Sequence, residues 1–72
     1  MPCVSPDGKP TESGMAILAA LDGGKTSPED IAAETNRPLF RVRSGLRELL
    51  GAGLVSQSGE SFALTEQGKA VL

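Results

Sequence analysis

The chain is 72 residues long and 39% hydrophobic, with a formal net charge of −2, no histidine and a single cysteine, Cys3. A chain of this length forms one domain with a thin core, which argues against an enclosed active-site cavity. It also lacks the commonest general base, the commonest metal ligand and any internal disulfide. We therefore expect no enzyme activity, no catalytic residue, no metal site and no cofactor.

The hydrophobic pattern argues against a membrane protein. The longest apolar run, residues 15–21, is much shorter than the roughly 20 residues that span a bilayer. No basic stretch precedes an apolar segment at the N-terminus, as it does in a secretory signal. We expect a cytoplasmic chain with no membrane partner.

Charge is distributed unevenly along the chain. Residues 37–47 contain four arginines and no acidic residue, a local charge of +4, whereas the remainder holds three lysines against nine acidic residues, a charge of −6. Such segregation creates a local positive field on a molecule that is acidic on average. A surface that binds phosphates would therefore have to be narrow and lie at residues 37–47.

The first segment of the chain has no helical or strand periodicity. Residues 1–10 contain three prolines and an Asp-Gly turn signal, so we predict a flexible N-terminal segment followed by a domain over residues 11–72. Residues 11–22 then carry apolar side chains at helical spacing. Gly23-Gly24 is expected to end this first helix, because glycine adopts the left-handed conformation at a helix C-terminus without a Cβ clash.

The clearest local signal is SPED at residues 27–30. Ser27 is a good N-cap, Pro28 is tolerated at the first helical position, and the two acids lie at the positive end of the helix dipole. We predict a second helix over residues 28–35. The link before it, residues 25–26, is expected to supply one extended pairing position.

A third helix is predicted over residues 37–51, beginning at Arg37-Pro38 with Asn36 as its cap, because proline is tolerated only in the first turn. Counted over residues 35–38, where the two helices meet, the turn is three or four residues long, which is helix-turn-helix spacing. The apolar stripe predicted for this helix comprises Leu39, Val42, Leu46, Leu49 and Leu50. Opposite it we expect Arg37, Arg41, Ser44 and Glu48, with Arg43 and Arg47 on the flank.

The last third of the chain alternates short apolar and polar segments. Residues 54–57 and 61–64 predict two strands joined by a turn at residues 58–60, which is a hairpin signal. Thr65 can cap a short final helix. We expect residues 70–72, all apolar, to pack back on the first helix.

Three motifs follow one another in the second half of the chain: RVRSGLREL at residues 41–49, AGLV at residues 52–55 and LTEQGKA at residues 64–70. With them, residues 16–72 resemble the winged helix-turn-helix transcription regulators of the MarR and ArsR types, in which the corresponding segments are the recognition helix, the strand entry and the segment after the wing. The resemblance implies a mainly α fold with a small β-hairpin, in the order α-α-α-β-β-α. It also implies a bacterial-type, DNA-binding transcription regulator.

The chain departs from the family pattern at three places. The hairpin carries Glu60 and no lysine or arginine, Phe40 stands where the family usually has a small polar residue, and Gly45 lies within the recognition helix. Glycine inside a helix costs about 1 kcal/mol relative to alanine. A hairpin without cations weakens the expectation that the wing itself contacts DNA.

As a DNA-binding domain, the chain would insert helix 37–51 into the major groove, whose width fits one α-helix. Arg41 and Ser44 are the candidates for base edges, since arginine can donate two hydrogen bonds to guanine. The candidates for phosphate contacts are Arg37, Arg43, Arg47 and Lys25, and Asn36 and Phe40 are assigned to the same interface.

Two alternatives stay open at this stage. The arginines could be the solvated face of an amphipathic helix, or Leu39, Phe40 and the arginines could dock an acidic partner in a protein-interaction module that does not bind DNA. Phe40 would either contact a partner or fold back against the second helix. A homodimer or a larger protein partner is expected, because a lone domain of this size binds DNA weakly.

Overall fold

A computed structural model describes residues 4–72; Cys3 and the two residues before it lie outside the described part. The elements are α1 (Glu12–Asp22), α2 (Pro28–Thr35), α3 (Leu39–Gly51), β1 (Val55–Ser58), β2 (Ser61–Leu64) and α4 (Glu66–Ala70). Their order, α-α-α-β-β-α with a two-stranded antiparallel hairpin, confirms the predicted winged helix-turn-helix layout.

Three of the helices begin at a side-chain cap. The hydroxyl of Thr11 accepts a hydrogen bond from the amide of Gly14, that of Ser27 from Asp30, and that of Thr65 from Gly68. Each bond satisfies one of the first-turn N–H groups that have no partner within the helix. These caps explain why the predicted starts of α1, α2 and α4 agree with the structure.

The start of α3 differs from the prediction. Asn36 does not cap α3; it ends α2 in the left-handed conformation, with φ of 55°, and its N–H donates to the carbonyl of Ala32. Asparagine tolerates this conformation better than most residues. Arg37 lies outside the helix because a residue that precedes proline is disfavoured in the α conformation. The third helix therefore begins at Leu39 rather than at residue 37, and Pro38 occupies the N-cap position without a capping side chain.

The core lies between the first three helices and the base of the hairpin. Its most deeply buried side chains are those of Ile17, Leu18, Ile31, Val42, Leu46, Leu49 and Val55. Around them pack half-buried side chains from the N-terminal segment, α1, α2 and the hairpin: Val4, Met15, Ala32, Phe62 and Leu64. This core holds α2 and α3 against α1 and leaves the opposite side of α3 in solvent.

The C-terminal residues agree with one prediction only in part: α4 contacts α1, but the last residues are not buried there. Ala70, Val71 and Leu72 are exposed, with 37% of Val71 and 46% of Leu72 accessible, and do not pack into the core. The buried residue of α4 is instead Gly68. α4 therefore contacts the rest of the domain closely at Gly68, and the residues that follow Gly68 are exposed.

The hairpin has a register of Val55 opposite Leu64 and Ser58 opposite Ser61, which leaves Gly59 and Glu60 as a two-residue turn. The first strand is thus shifted by one residue from the predicted range 54–57. On the other side of β2, the amide of Phe62 donates to the carbonyl of Thr26, 2.8 Å away. This single bond joins the link before α2 to the hairpin, but the link does not form the expected pairing position within the sheet.

The described part of the N-terminal segment is folded into a turn, which the sequence analysis did not predict. Val4 and Pro10 form an antiparallel bridge, and the amide of Ser5 donates to the carbonyl of Lys9 over 2.7 Å. The Asp7 carboxylate accepts hydrogen bonds from the Ser5 hydroxyl and from the amide of Lys9. Val4, half-buried, packs against the core.

The helices within residues 4–72 lack the combination of length and hydrophobicity that a membrane-spanning helix needs.

Candidate nucleic-acid interface

The buried face of α3 is formed by Val42, Gly45, Leu46 and Leu49. Leu39 and Leu50, which the apolar pattern assigned to this face, are 37% and 38% exposed. At 100° per residue, the centre of the buried stripe is displaced by roughly 40° from the predicted one. The displacement changes which side chains point away from the core.

Directly opposite the buried stripe lie Phe40, Ser44 and Arg47, which we call the outer ridge. They are spaced four and three residues apart and are all exposed. Arg41 lies on one flank of the ridge and Arg43 on the other. Arg47 therefore lies on the outer ridge and not on the flank where the periodicity predicts it, because Leu39 and Leu50 are counted in the predicted stripe but are not part of the buried one.

The four arginines of residues 37–47 differ in their surroundings. Arg41 and Arg47 are exposed, and within residues 4–72 neither is paired with a carboxylate. Arg43 forms an ion pair with Glu29 at the start of α2, with 3.4 Å between Nη2 and Oε2, but both side chains remain more than half exposed. Arg37, in the turn before α3, is half-buried. Two guanidinium groups are therefore available without any rearrangement, and a third is held only by a solvent-exposed pair.

Phe40 does not fold back against α2. Its side chain is 68% exposed, more than that of any other large hydrophobic residue in the described part of the chain. The guanidinium carbon of Arg41 lies 5.9 Å from the centre of its ring, at the outer limit of a cation–π contact. An aromatic ring and a positive charge therefore stand side by side at the N-terminal end of α3.

A groove of about 270 Å³ separates α3 from the hairpin. Its lining residues come from the start of α2, from α3 and from both strands or their turn: Pro28, Glu29, Arg43, Arg47, Leu50, Gln57, Glu60 and Phe62. Two arginines and two glutamates thus border the same groove. The sequence analysis explained Glu29 by the helix dipole alone, and no periodicity within one helix could have revealed its contact with Arg43.

Lys25 and Asn36, the two remaining candidates, are exposed. Asn36 lies in the turn just before α3. Lys25 borders a second hollow, between α1 and α2, which shares no lining residue with the groove beside α3. Along the described residues, no group of three or more cysteines or acidic residues is placed to hold a metal ion.

Similarity to known proteins is found among solved structures. No protein-family model and no curated protein matches the chain. Among solved structures, it is similar to an O-methyltransferase from neocarzinostatin biosynthesis, crystallised with S-adenosyl-L-homocysteine, with a TM-score of 0.73 and 22% sequence identity. The match covers 79% of this chain but 19% of the methyltransferase. At this identity the similarity shows the fold alone, and one fold supports many functions.

Proposed function

We propose that the chain binds double-stranded DNA by inserting the outer ridge of α3 into the major groove, and that it serves as a transcription regulator of the type it resembles in sequence. The observation that carries the proposal is the state of the α3 arginines. Arg41 and Arg47 project into solvent without an acidic partner in the described part of the chain. A solvated helix face usually mixes both signs of charge, whereas residues 37–47 contain no acid and the acidic residue of α3, Glu48, is half-buried.

Geometry supports a division of roles along α3. Ser44 and Arg47 lie on the outer ridge, and the Arg41 side chain extends towards Phe40 at the N-terminal end, which is the end that enters the groove in helix-turn-helix proteins. These residues are assigned to base edges. Arg37 and Arg43 lie at the edges of the exposed face and are assigned to phosphates.

The acidic residues around the site limit its size. Glu29 and Glu60 border the groove between α3 and the hairpin, and both repel phosphates. A phosphate contact of Arg43, which borders the same groove, therefore has to form against this repulsion, and the other phosphate contacts are expected on the side of α3 away from the hairpin. A small contact implies weak binding by one domain, so the proposal includes a homodimer or a larger assembly that supplies a second contact.

A second candidate function is a protein-interaction module for an acidic partner. It is favoured by the 68% exposure of Phe40, because aromatic side chains are enriched at protein–protein interfaces. The net charge of −2 also favours it. In this case the arginines would pair with acidic side chains, and the chain would have no affinity for a DNA duplex.

Fluorescence anisotropy with duplexes selected from a random pool tests the proposal. If three or four phosphates are contacted, log K should fall with log salt with a slope of about −3. Arg41→Ala should weaken binding at least about fivefold while leaving the thermal midpoint unchanged. Lys69→Ala is the matched control, since it removes an equal charge from exposed α4 and should leave affinity nearly unchanged.

Two results would contradict the proposal. The first is the absence of any duplex binding at about 50 mM salt, a condition in which electrostatic contacts are strong. The second is an equal effect of Arg41→Ala and Lys69→Ala, because binding would then depend on overall charge and not on α3.

A further inference from the structure

Phe40 is the most exposed apolar side chain of α3, and the residues of the outer ridge that follow it are polar or cationic. It is the second residue of α3, at the end of the outer ridge that leads into the proposed DNA groove. Its neighbours on the exposed side are Ser44 one turn later and Arg41 beside it. No residue of the described fold covers the ring, which remains 68% exposed.

The charge beside the ring restricts what can cover it. The Arg41 guanidinium lies close to the ring, so a partner that buries Phe40 must also accept a positive charge within the same contact. A purely apolar pocket would leave that charge unpaired, which is costly. The partner must therefore offer a small apolar group close to hydrogen-bond acceptors or anions.

The major groove of DNA has this combination. Thymine places a C5 methyl group in the groove next to the O4 acceptor, guanine offers N7 and O6, and the phosphates lie at the groove edges. We propose that Phe40 is a specificity-determining residue that packs on thymine methyl groups. This inference rests on the proposed function. The domain is then expected to prefer sites with thymine beside the base read by Arg41. Phenylalanine is one of the side chains able to make such a contact.

Burial of methyl groups sets the size of the effect. Each methyl group removed from water contributes about fourfold in affinity. The contribution is independent of salt, because it involves no counterions, whereas the arginine contacts weaken steeply as salt rises. Preference for thymine methyls should therefore persist while total affinity falls.

The test compares duplexes that differ only in the C5 methyl group. A duplex of about 20 base pairs with alternating adenine and thymine is paired with the same duplex containing uracil in place of thymine. A second pair alternates guanine with either cytosine or 5-methylcytosine, which adds a methyl group at the equivalent groove position. Wild type, Phe40→Ala and Leu72→Ala are measured by anisotropy with all four duplexes. Leu72→Ala is the control for loss of an exposed apolar side chain outside α3.

We expect the wild type and Leu72→Ala to bind the methylated member of each pair about fourfold more tightly. Phe40→Ala should bind both members equally, with the affinity of the wild type for the unmethylated duplex. Equal wild-type binding to both members, or discrimination that survives Phe40→Ala, overturns the inference while the proposed function stands. If the wild type binds none of the four duplexes, both the inference about Phe40 and the proposed function are refuted. Thermal melting checks that Phe40→Ala is folded. We expect it to be folded because the Phe40 side chain is exposed and is not part of the core.

Discussion

Gly68 lies so close to the carbonyl group of Leu54 that no side chain fits between them. A Cβ atom built on Gly68 would collide with the Leu54 carbonyl oxygen and would lie 3.1 Å from its carbonyl carbon and 3.2 Å from Cδ2 of Leu64. The same Leu54 oxygen accepts a hydrogen bond from the amide of Thr65 over 3.2 Å. The contact explains why the LTEQGKA segment requires glycine at this position: α4 rests on the backbone that leads into β1.

Gly68→Ala is therefore expected to destabilise the domain. Because the obstructing atoms belong to backbone, the clash can be relieved only by moving α4, and overpacking of this kind costs about 2–3 kcal/mol. For a domain of this size the thermal midpoint should fall by roughly 10–20 °C. Gly51→Ala is the matched control, since a Cβ there meets no atom within 4 Å and alanine favours the helix. Equal melting of Gly68→Ala and Gly51→Ala would show that α4 does not pack as described.

The Thr65 hydroxyl has two roles in the same region. It donates to the carbonyl of Gly53 over 2.7 Å and accepts from the amide of Gly68 over 3.1 Å, which joins the end of α3 to the start of α4. Thr65→Val keeps the shape of the side chain but loses both bonds, for a cost of about 2 kcal/mol. Thr65→Ser keeps the hydroxyl and should lose less than about 1 kcal/mol. Urea unfolding measures both; equal losses would mean that the hydroxyl is unimportant.

Helix starts that depend on a nearby capping side chain agree with the prediction: Ser27 and Thr65 cap helices through bonds to residues three positions away. The hairpin was predicted at the right place, but its turn is one residue shorter than expected and its first strand is shifted by one residue. Asn36 was assigned to the wrong helix because asparagine suits both an N-cap and a left-handed C-cap. The proline two residues later decides between them, since it keeps Arg37 out of the helix.

The orientation of α3 could not be predicted from its own residues. Leu39 and Leu50 are apolar and fall at helical spacing, but each lies at an end of α3 where the neighbouring elements do not cover it fully. Which face of a helix is buried depends on the elements packed against it. The same limit applies to Arg43 and Glu29, which are 14 residues apart and meet only because α2 packs on α3.

The N-terminal turn offers a prediction about pH. The hydrogen bond from the Ser5 hydroxyl, with that from the Lys9 amide, lowers the pKa of Asp7 because both stabilise the charged carboxylate. Since the pKa in the folded turn is below that in the unfolded chain, this stabilisation is complete above the usual aspartate range and is lost as pH falls through the lowered value. Carbon-detected NMR titration of the Asp7 carboxyl should show the shift.

Ser5→Ala should move the Asp7 titration back towards the usual aspartate value, because it removes the largest cause of the shift. Ser56→Ala, in β1, removes a hydroxyl away from the turn and should have no effect on Asp7. An Asp7 titration that Ser5→Ala leaves unchanged would mean that the turn is not closed by this bond in solution.

The Arg43–Glu29 pair leads to a prediction that links stability to binding. Both side chains are more than half exposed, so the pair contributes less than about 1 kcal/mol to folding. In the proposed complex, however, Glu29 both repels the DNA backbone and holds a guanidinium group that would otherwise bind a phosphate. Glu29→Gln should therefore change the thermal midpoint little and raise duplex affinity by roughly twofold to tenfold at low salt.

The control for this variant is Glu66→Gln, which removes the same charge from the first turn of a different helix, α4. Both variants shift the net charge equally and both remove an acid from a helix N-terminus, so they differ only in distance from the α3 arginines. If Glu29 restrains Arg43, only Glu29→Gln should steepen the salt dependence of binding, by about one unit of slope for one additional phosphate contact. An equal gain in the two variants would mean that Arg43 does not face the DNA, and the interface would then be confined to Arg41 and the outer ridge.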